Sequence, residues 1–269
     1  MPQIERSRDE PALADPGRVW RARPALLLVS LAAWAGLAAA DRGLVLPAYC
    51  SPAPYPDGEA LAGVAAMLRF NPPQALATGW LTMLAATMLP LLAAPLAHVW
   101  GGTGGSRARG VGLFLIGYVT VWMAVGAILL LLAMFVNGAT SGVSPFAAAA
   151  AIALLWQASP WKQACLNRCH DLPDLPSRGA DLEALRFGLV HGLSCAGACW
   201  ALMALPLLAG EAHLAAMALV ALFLFAERLA PLRAPAWRLR RPAPSLASAW
   251  GELRGRTGEG RAGDEPGSP

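Results

Sequence analysis

Residues 111–136 read VGLFLIGYVTVWMAVGAILLLLAMFV, with no charged side chain among them. A helix needs about 20 apolar residues to cross a hydrocarbon core, and this run is long enough. A surface helix of a soluble protein would carry a polar stripe, and none is present. Working outward from it, further apolar runs fall at 24–46, 76–99, 142–157, 184–208 and 212–226. The expected fold is therefore all-α: a polytopic transmembrane helix bundle of about six spans.

Composition agrees. The chain is 56% hydrophobic and 14% charged, with a mean hydropathy of +0.47. A soluble domain carries about 25% charged residues. The shortfall suits a lipid-facing surface and excludes an ordinary water-facing one. The 27 glycines suit close helix approach in a bilayer.

Orientation follows from the basic residues. With six spans, 19 of the 21 Lys and Arg residues fall on one side, and only Arg42 and Arg69 on the other. Basic loops stay in the cytoplasm, which puts both termini inside and the chain in the bacterial inner (plasma) membrane. The net charge of +4 thus reports topology, and no nucleic-acid motif accompanies it. A cleaved signal peptide ending near Ala38-Ala39-Ala40 is an alternative for the first span, although its n-region is long and partly acidic.

Three regions result: a disordered cytoplasmic tail at 1–23, a transmembrane domain at 24–231, and a second disordered cytoplasmic tail at 232–269, rich in Arg, Pro, Gly and Ser. The basic tract at 233–241 is placed against anionic headgroups or in solvent. Residues 60–70 read as an interfacial helix in the first external loop.

Four of the five cysteines form two pairs, Cys165/Cys169 and Cys195/Cys199. A spacing of four sets both thiols on one helix face, one turn apart. The first pair follows Ser159-Pro160, an N-cap and first-turn signal. A short helix should start there and stop before Pro173. Trp161, Cys165 and Cys169 would share a face, with Lys162 and His170 beside them. The second pair belongs to a series of fours inside the fifth span: His191, Cys195, Cys199, Met203. Gly188, Gly192 and Ala196 share that sector, which would turn the stripe into the bundle.

Imidazole, thiolate and thioether are soft ligands that suit Cu(I) first and zinc second. Met88 and Met83 in the second span are further thioethers. Gln157 and Glu227 are candidate supporting residues with Lys162 and His170, or simply helix ends meeting water. A packing role competes throughout, since Cys and Met also fill helix bundles. On regular helices the two cysteine pairs would lie about 15 Å or more apart.

The stretch from Trp156 through Leu166 with Cys169 resembles one signature of a bacterial family of predicted metal-binding integral membrane proteins of unknown function. A second signature resembles Gly188 through Met203, especially His191-Gly192, Cys195, Gly197 and Cys199-Trp200-Ala201-Leu202-Met203. A third resembles Glu227-Arg228-Leu229-Ala230-Pro231, and Thr87-Met88-Leu89-Pro90 is similar to a looser Met-Met-Pro element. The resemblance covers about residues 76–231 and implies metal binding. The chain has Ala198 where many relatives have a further Cys, and Thr87 where the family has the first Met.

The functional expectation is a copper-handling membrane protein with the lipid bilayer and a metal ion as partners, and a membrane or metallochaperone partner unidentified. Two alternatives stand beside it: a thiol–disulfide oxidoreductase, and a structural or assembly protein whose cysteines only pack. Redox dithiols are usually CxxC, which counts against the former. No catalytic residue is assigned: there is no P-loop, no nucleotide fingerprint, no carboxylate pair within a span and no nucleophile elbow.

Overall fold

The computed structural model describes residues 16–41, 72–102, 107–139, 144–173, 175, 179–230 and 232–239. These residues form an all-α bundle of eight helices: α1 (Pro16–Asp41), α2 (Pro73–Thr87), α3 (Ala93–Gly102), α4 (Arg107–Ala139), α5 (Pro145–Ala158), α6 (Pro160–Arg168), α7 (Ala180–Leu208) and α8 (His213–Leu229). Four segments are long and apolar enough to cross a membrane: Pro24–Asp41, Arg107–Val136, Ala180–Leu208 and Gly210–Leu229. The α2–α3 pair, bent by 59°, could be a fifth. Helix α5, at 14 residues, falls below that length.

Helices α4 and α7 form the spine, and glycines set their distance. A methyl group at Gly188 would run into the Phe114 carbonyl, and one at Gly117 would sit 2.5 Å from the Leu185 oxygen. One at Gly192 would lie 3.1 Å from Val121 and 3.2 Å from the Tyr118 carbonyl. The contact residues advance together along both helices, so α4 and α7 run parallel. The small-residue stripe thus faces a neighbouring backbone, as its composition implies.

The bend between α2 and α3 has a local cause. Pro90 has no N–H to give the Ala86 carbonyl one turn earlier. That carbonyl instead accepts Ser30 Oγ at 2.7 Å and Trp34 Nε1 at 3.1 Å, both from α1. A 3-10 turn (Leu89–Leu92) carries the chain through the break. A second proline break separates α5 from α6. Ser159 there is extended (φ −77°, ψ 146°), and its side chain accepts from the Lys162 N–H at 3.2 Å. This is the helix start expected at Ser159-Pro160.

Two boundaries differ from the sequence expectations. The apolar span of α1 begins at Pro24 as expected, with the helix itself extending back to Pro16. Helix α8 continues past 226 to Leu229, which takes Glu227 and Arg228 into the helix. Residues 232–239 are a placed extended segment rather than a disordered tail. The Arg238 N–H donates to the Ala158 carbonyl at 3.0 Å, Asn167 Nδ2 donates to the Arg233 carbonyl at 2.9 Å, and Trp237 meets Trp161 edge-on. The segment thereby supplies a donor to the open C-terminal end of α5. The stretch 60–70 and Cys50 lie outside the described residues.

Candidate metal centre

Helix α6 folds back against α7 after the Ser159-Pro160 break, and this corrects the expected separation of the cysteine pairs. Cys169 and Cys195 fall in the same buried core cluster. Cys165 packs on Gly197, where a methyl group would lie 2.6 Å from its sulfur. Regular helices stacked end to end would have kept the pairs at different depths. The proline break instead lays α6 alongside the middle of α7, and Gly197 provides the room. Trp156 fastens the same junction, donating from Nε1 to the Gly197 carbonyl at 2.9 Å and meeting Trp200 edge-on.

Cys169, Cys195 and Cys199 are buried, Cys165 is half-buried, and all four are free thiols. Cys195 also lies 3.3 Å from the Tyr118 hydroxyl of α4. Cys199 donates to the Cys195 carbonyl at 2.8 Å, an intrahelical bond.

His191 sits one turn before Cys195 and is 1% exposed. Its ring is enclosed by Phe114, Tyr118 and Phe187, with centroids 5.6–6.1 Å away. Neither ring nitrogen has a hydrogen-bond partner. A buried imidazole with both nitrogens unpaired is unusual, because buried polar groups are nearly always bonded.

The supporting residues are not helix ends meeting water. Lys162 and Glu227 form a buried ion pair, and Gln157 Nε2 donates to the same Glu227 oxygen at 3.3 Å. His170 places Nδ1 3.0 Å from the Leu166 carbonyl and Nε2 3.2 Å from the Arg228 carbonyl, so it ties α6 to α8. Met203, Met88 and Met83 are fully buried and belong to the same core cluster. Met217 of α8 joins them there. His98 and His213 stand at helix ends, bonded to the carbonyls of Pro173 and Pro206.

Among the described residues, no three His, Cys, Asp or Glu side chains are grouped so as to hold a metal ion. The geometry gathers two buried thiols, Cys169 and Cys195, into one core cluster, with an unpaired imidazole on the turn before Cys195. Sequence reasoning missed two residues here. Tyr118 is a lone phenol in an apolar span, which is a usable signal. Arg228 reads from the sequence as an orientation charge, yet its Nη1 is buried with no hydrogen-bond partner.

The match to a family model supplies the context. It covers residues 77–253 and carries the description copper chaperone. The chain belongs to the PpoB2 family. The PpoB2 match takes in every candidate ligand, the two cysteine pairs, and the extended segment 232–239, and it leaves out α1. No curated protein and no solved structure matches the chain.

Proposed function

We propose that this protein is an integral membrane copper chaperone of the bacterial inner membrane that carries Cu(I) between Cys169 and Cys195. The observation that carries the proposal is that these buried thiols, from two helices, share one core cluster with His191 one turn from Cys195, its buried nitrogens unpaired. Copper is cargo here rather than a resident cofactor. A pair of thiolates satisfies Cu(I), which accepts two-coordinate sulfur, whereas zinc sites use four ligands. Cys199 supplies a third thiol once it leaves the Cys195 carbonyl, and His191 a nitrogen. Half-buried Cys165 is the port through which the ion arrives or departs. Met203 and Met88, with Met83, are thioethers for onward passage through the bundle.

The meeting of the pairs also supports a second reading, a thiol–disulfide exchange protein with a Cys169–Cys195 disulfide. One experiment separates the two. The protein is purified in detergent under reducing conditions, supplied with Cu(I), and bound copper and zinc are measured by mass spectrometry beside Cys169→Ser and Cys195→Ser. The chaperone predicts near-stoichiometric copper, absent from both variants. No copper in the wild type would refute it, and in-vivo trapping of a disulfide between the pairs would then favour the exchange protein.

A further inference from the structure

One phenyl ring joins two histidines. Phe187 stands one turn before His191 on α7 and meets both imidazoles edge-on. The His98 centroid lies 6.0 Å from it at 82°, and the His191 centroid 5.6 Å from it at 71°. His191 is followed one turn later, on the same helix face, by Cys195. His98, Phe187, His191 and Cys195 therefore form a line from the last turns of α3 into the thiol cluster.

The two imidazoles differ in exposure. His191 is buried, whereas His98 is half-buried. The end of α3 packs against the segment that leads into α7. His98 Nε2 lies 2.7 Å from the Pro173 carbonyl, and a methyl group at Gly102 would lie 2.8 Å from Leu175 Cδ1. The line thus opens at the end of the bundle where α7 begins.

The bond to Pro173 also fixes the chemistry of His98. A carbonyl oxygen only accepts, so Nε2 carries the proton and the neutral ring keeps its lone pair on Nδ1. A histidine that binds a metal almost always donates its other ring N–H in this way. His170 lacks that arrangement, because each of its nitrogens faces a carbonyl. Between His98 and His191 the barrier is Phe187 itself. The backbone beside it is fixed, since Gly188 has no room even for a methyl group against the Phe114 carbonyl. The Phe114 ring supports Phe187 from 5.0 Å. The freedom that remains is rotation of the Phe187 side chain.

We propose that His98 is a second port for Cu(I), binding the ion through Nδ1 and passing it around the Phe187 ring to His191. In that step one Cu–N bond forms as another breaks, and no proton or electron is transferred. This rests on the copper reading above, in which Cys165 is the other port. An ion can then arrive by one port and leave by the other.

Two measurements on the detergent-purified full chain, under reducing conditions, test it. In the first, the Cys169→Ser/Cys195→Ser variant with isotopically labelled histidine is titrated with Cu(I), and the imidazole nitrogens are followed by NMR. His98 Nδ1 should shift while Nε2 keeps its proton. A shift at Nε2 instead, or none at His98, would overturn the port. In the second, loading from a Cu(I)–chelator complex is timed in a Cys165→Ser background, where His98 is the remaining port. His98→Ala should slow loading about tenfold and Phe187→Ala should speed it, while the copper held at equilibrium stays the same. An unchanged rate in His98→Ala would overturn the proposal, and so would a matching loss of equilibrium copper, which would make His98 a structural residue. If Phe187→Ala does not fold, Phe187→Leu replaces it. The underlying reading fails separately: a wild type that holds no copper removes the Cys169–Cys195 site, whatever His98 Nδ1 does in the first measurement.

Discussion

The guanidinium of Arg109 lies 3.0 Å from the carboxylate of Asp181, which joins the first turns of α4 and α7. The pair is exposed and contributes little stability. Its value is topological, because it shows that two long apolar helices begin on the same face. The chain must return across the bundle between them, and only α5 and α6 are available to do so. The six-span, N-in/C-in arrangement follows if α5 and α6 make one broken span. Single cysteines placed at Arg107 and Leu182, in a background with native cysteines replaced by alanine, should react with an impermeant maleimide from the cytoplasmic side only. A cysteine at Glu211 should react only from the other side. Labelling of Arg107 and Leu182 positions from opposite faces would break this topology.

The α4–α7 spine should be sensitive to single methyl groups. Gly188→Ala would drive a methyl into the Phe114 backbone, and Gly117→Ala into the Leu185 carbonyl. Each should destabilise by about 1–3 kcal/mol, because a backbone cannot step aside as a side chain can. Gly112→Ala meets nothing within 4 Å. It should be neutral or stabilise by about 0.5–1 kcal/mol through helix propensity. Thermal unfolding in detergent measures all three, and an equal response at Gly112 and Gly188 would contradict the packing.

The helices were legible because apolar runs and proline breaks are local signals. The run at 111–136 marks α4, and Ser159-Pro160 marks the start of α6. The His191–Cys195 stripe was legible as bundle-facing because Gly188 and Gly192 share its sector. What the residues could not convey is how far α6 folds back. That depends on Gly197 making room for Cys165 and on the Trp156 bond to the Gly197 carbonyl, both non-local. The ion pair was hidden for a similar reason. Lys162 and Glu227 each look like an interfacial residue, and only their meeting across two helices lets them be buried.

Thiol chemistry in the metal-free protein should be slow, because Cys169 is buried and Cys165 half-buried. Alkylation at pH 8 should lag a free thiol, which ionises near about pH 8.5, and Cys165 should react before Cys169. Rapid alkylation of both thiols at pH 7, by mass spectrometry, would contradict this.

The Lys162–Glu227 pair should show the asymmetry of a buried ion pair. Lys162→Met leaves a carboxylate enclosed with only Gln157 donating to it. That should destabilise by about 3–5 kcal/mol, since the desolvated charge loses its partner. Glu227→Gln removes the carboxylate charge facing the ammonium and should also destabilise. Removing both charges, as Lys162→Met with Glu227→Leu, should recover much of the loss, because neither desolvation penalty then remains. The recovery, read as a coupling energy in a double-mutant cycle of thermal unfolding, distinguishes a true ion pair from two independent polar contacts. Additive losses would show that each residue is held by something other than its partner. The same double variant should retain Ag(I) binding, because its charges cancel and it alters neither Cys169 nor Cys195.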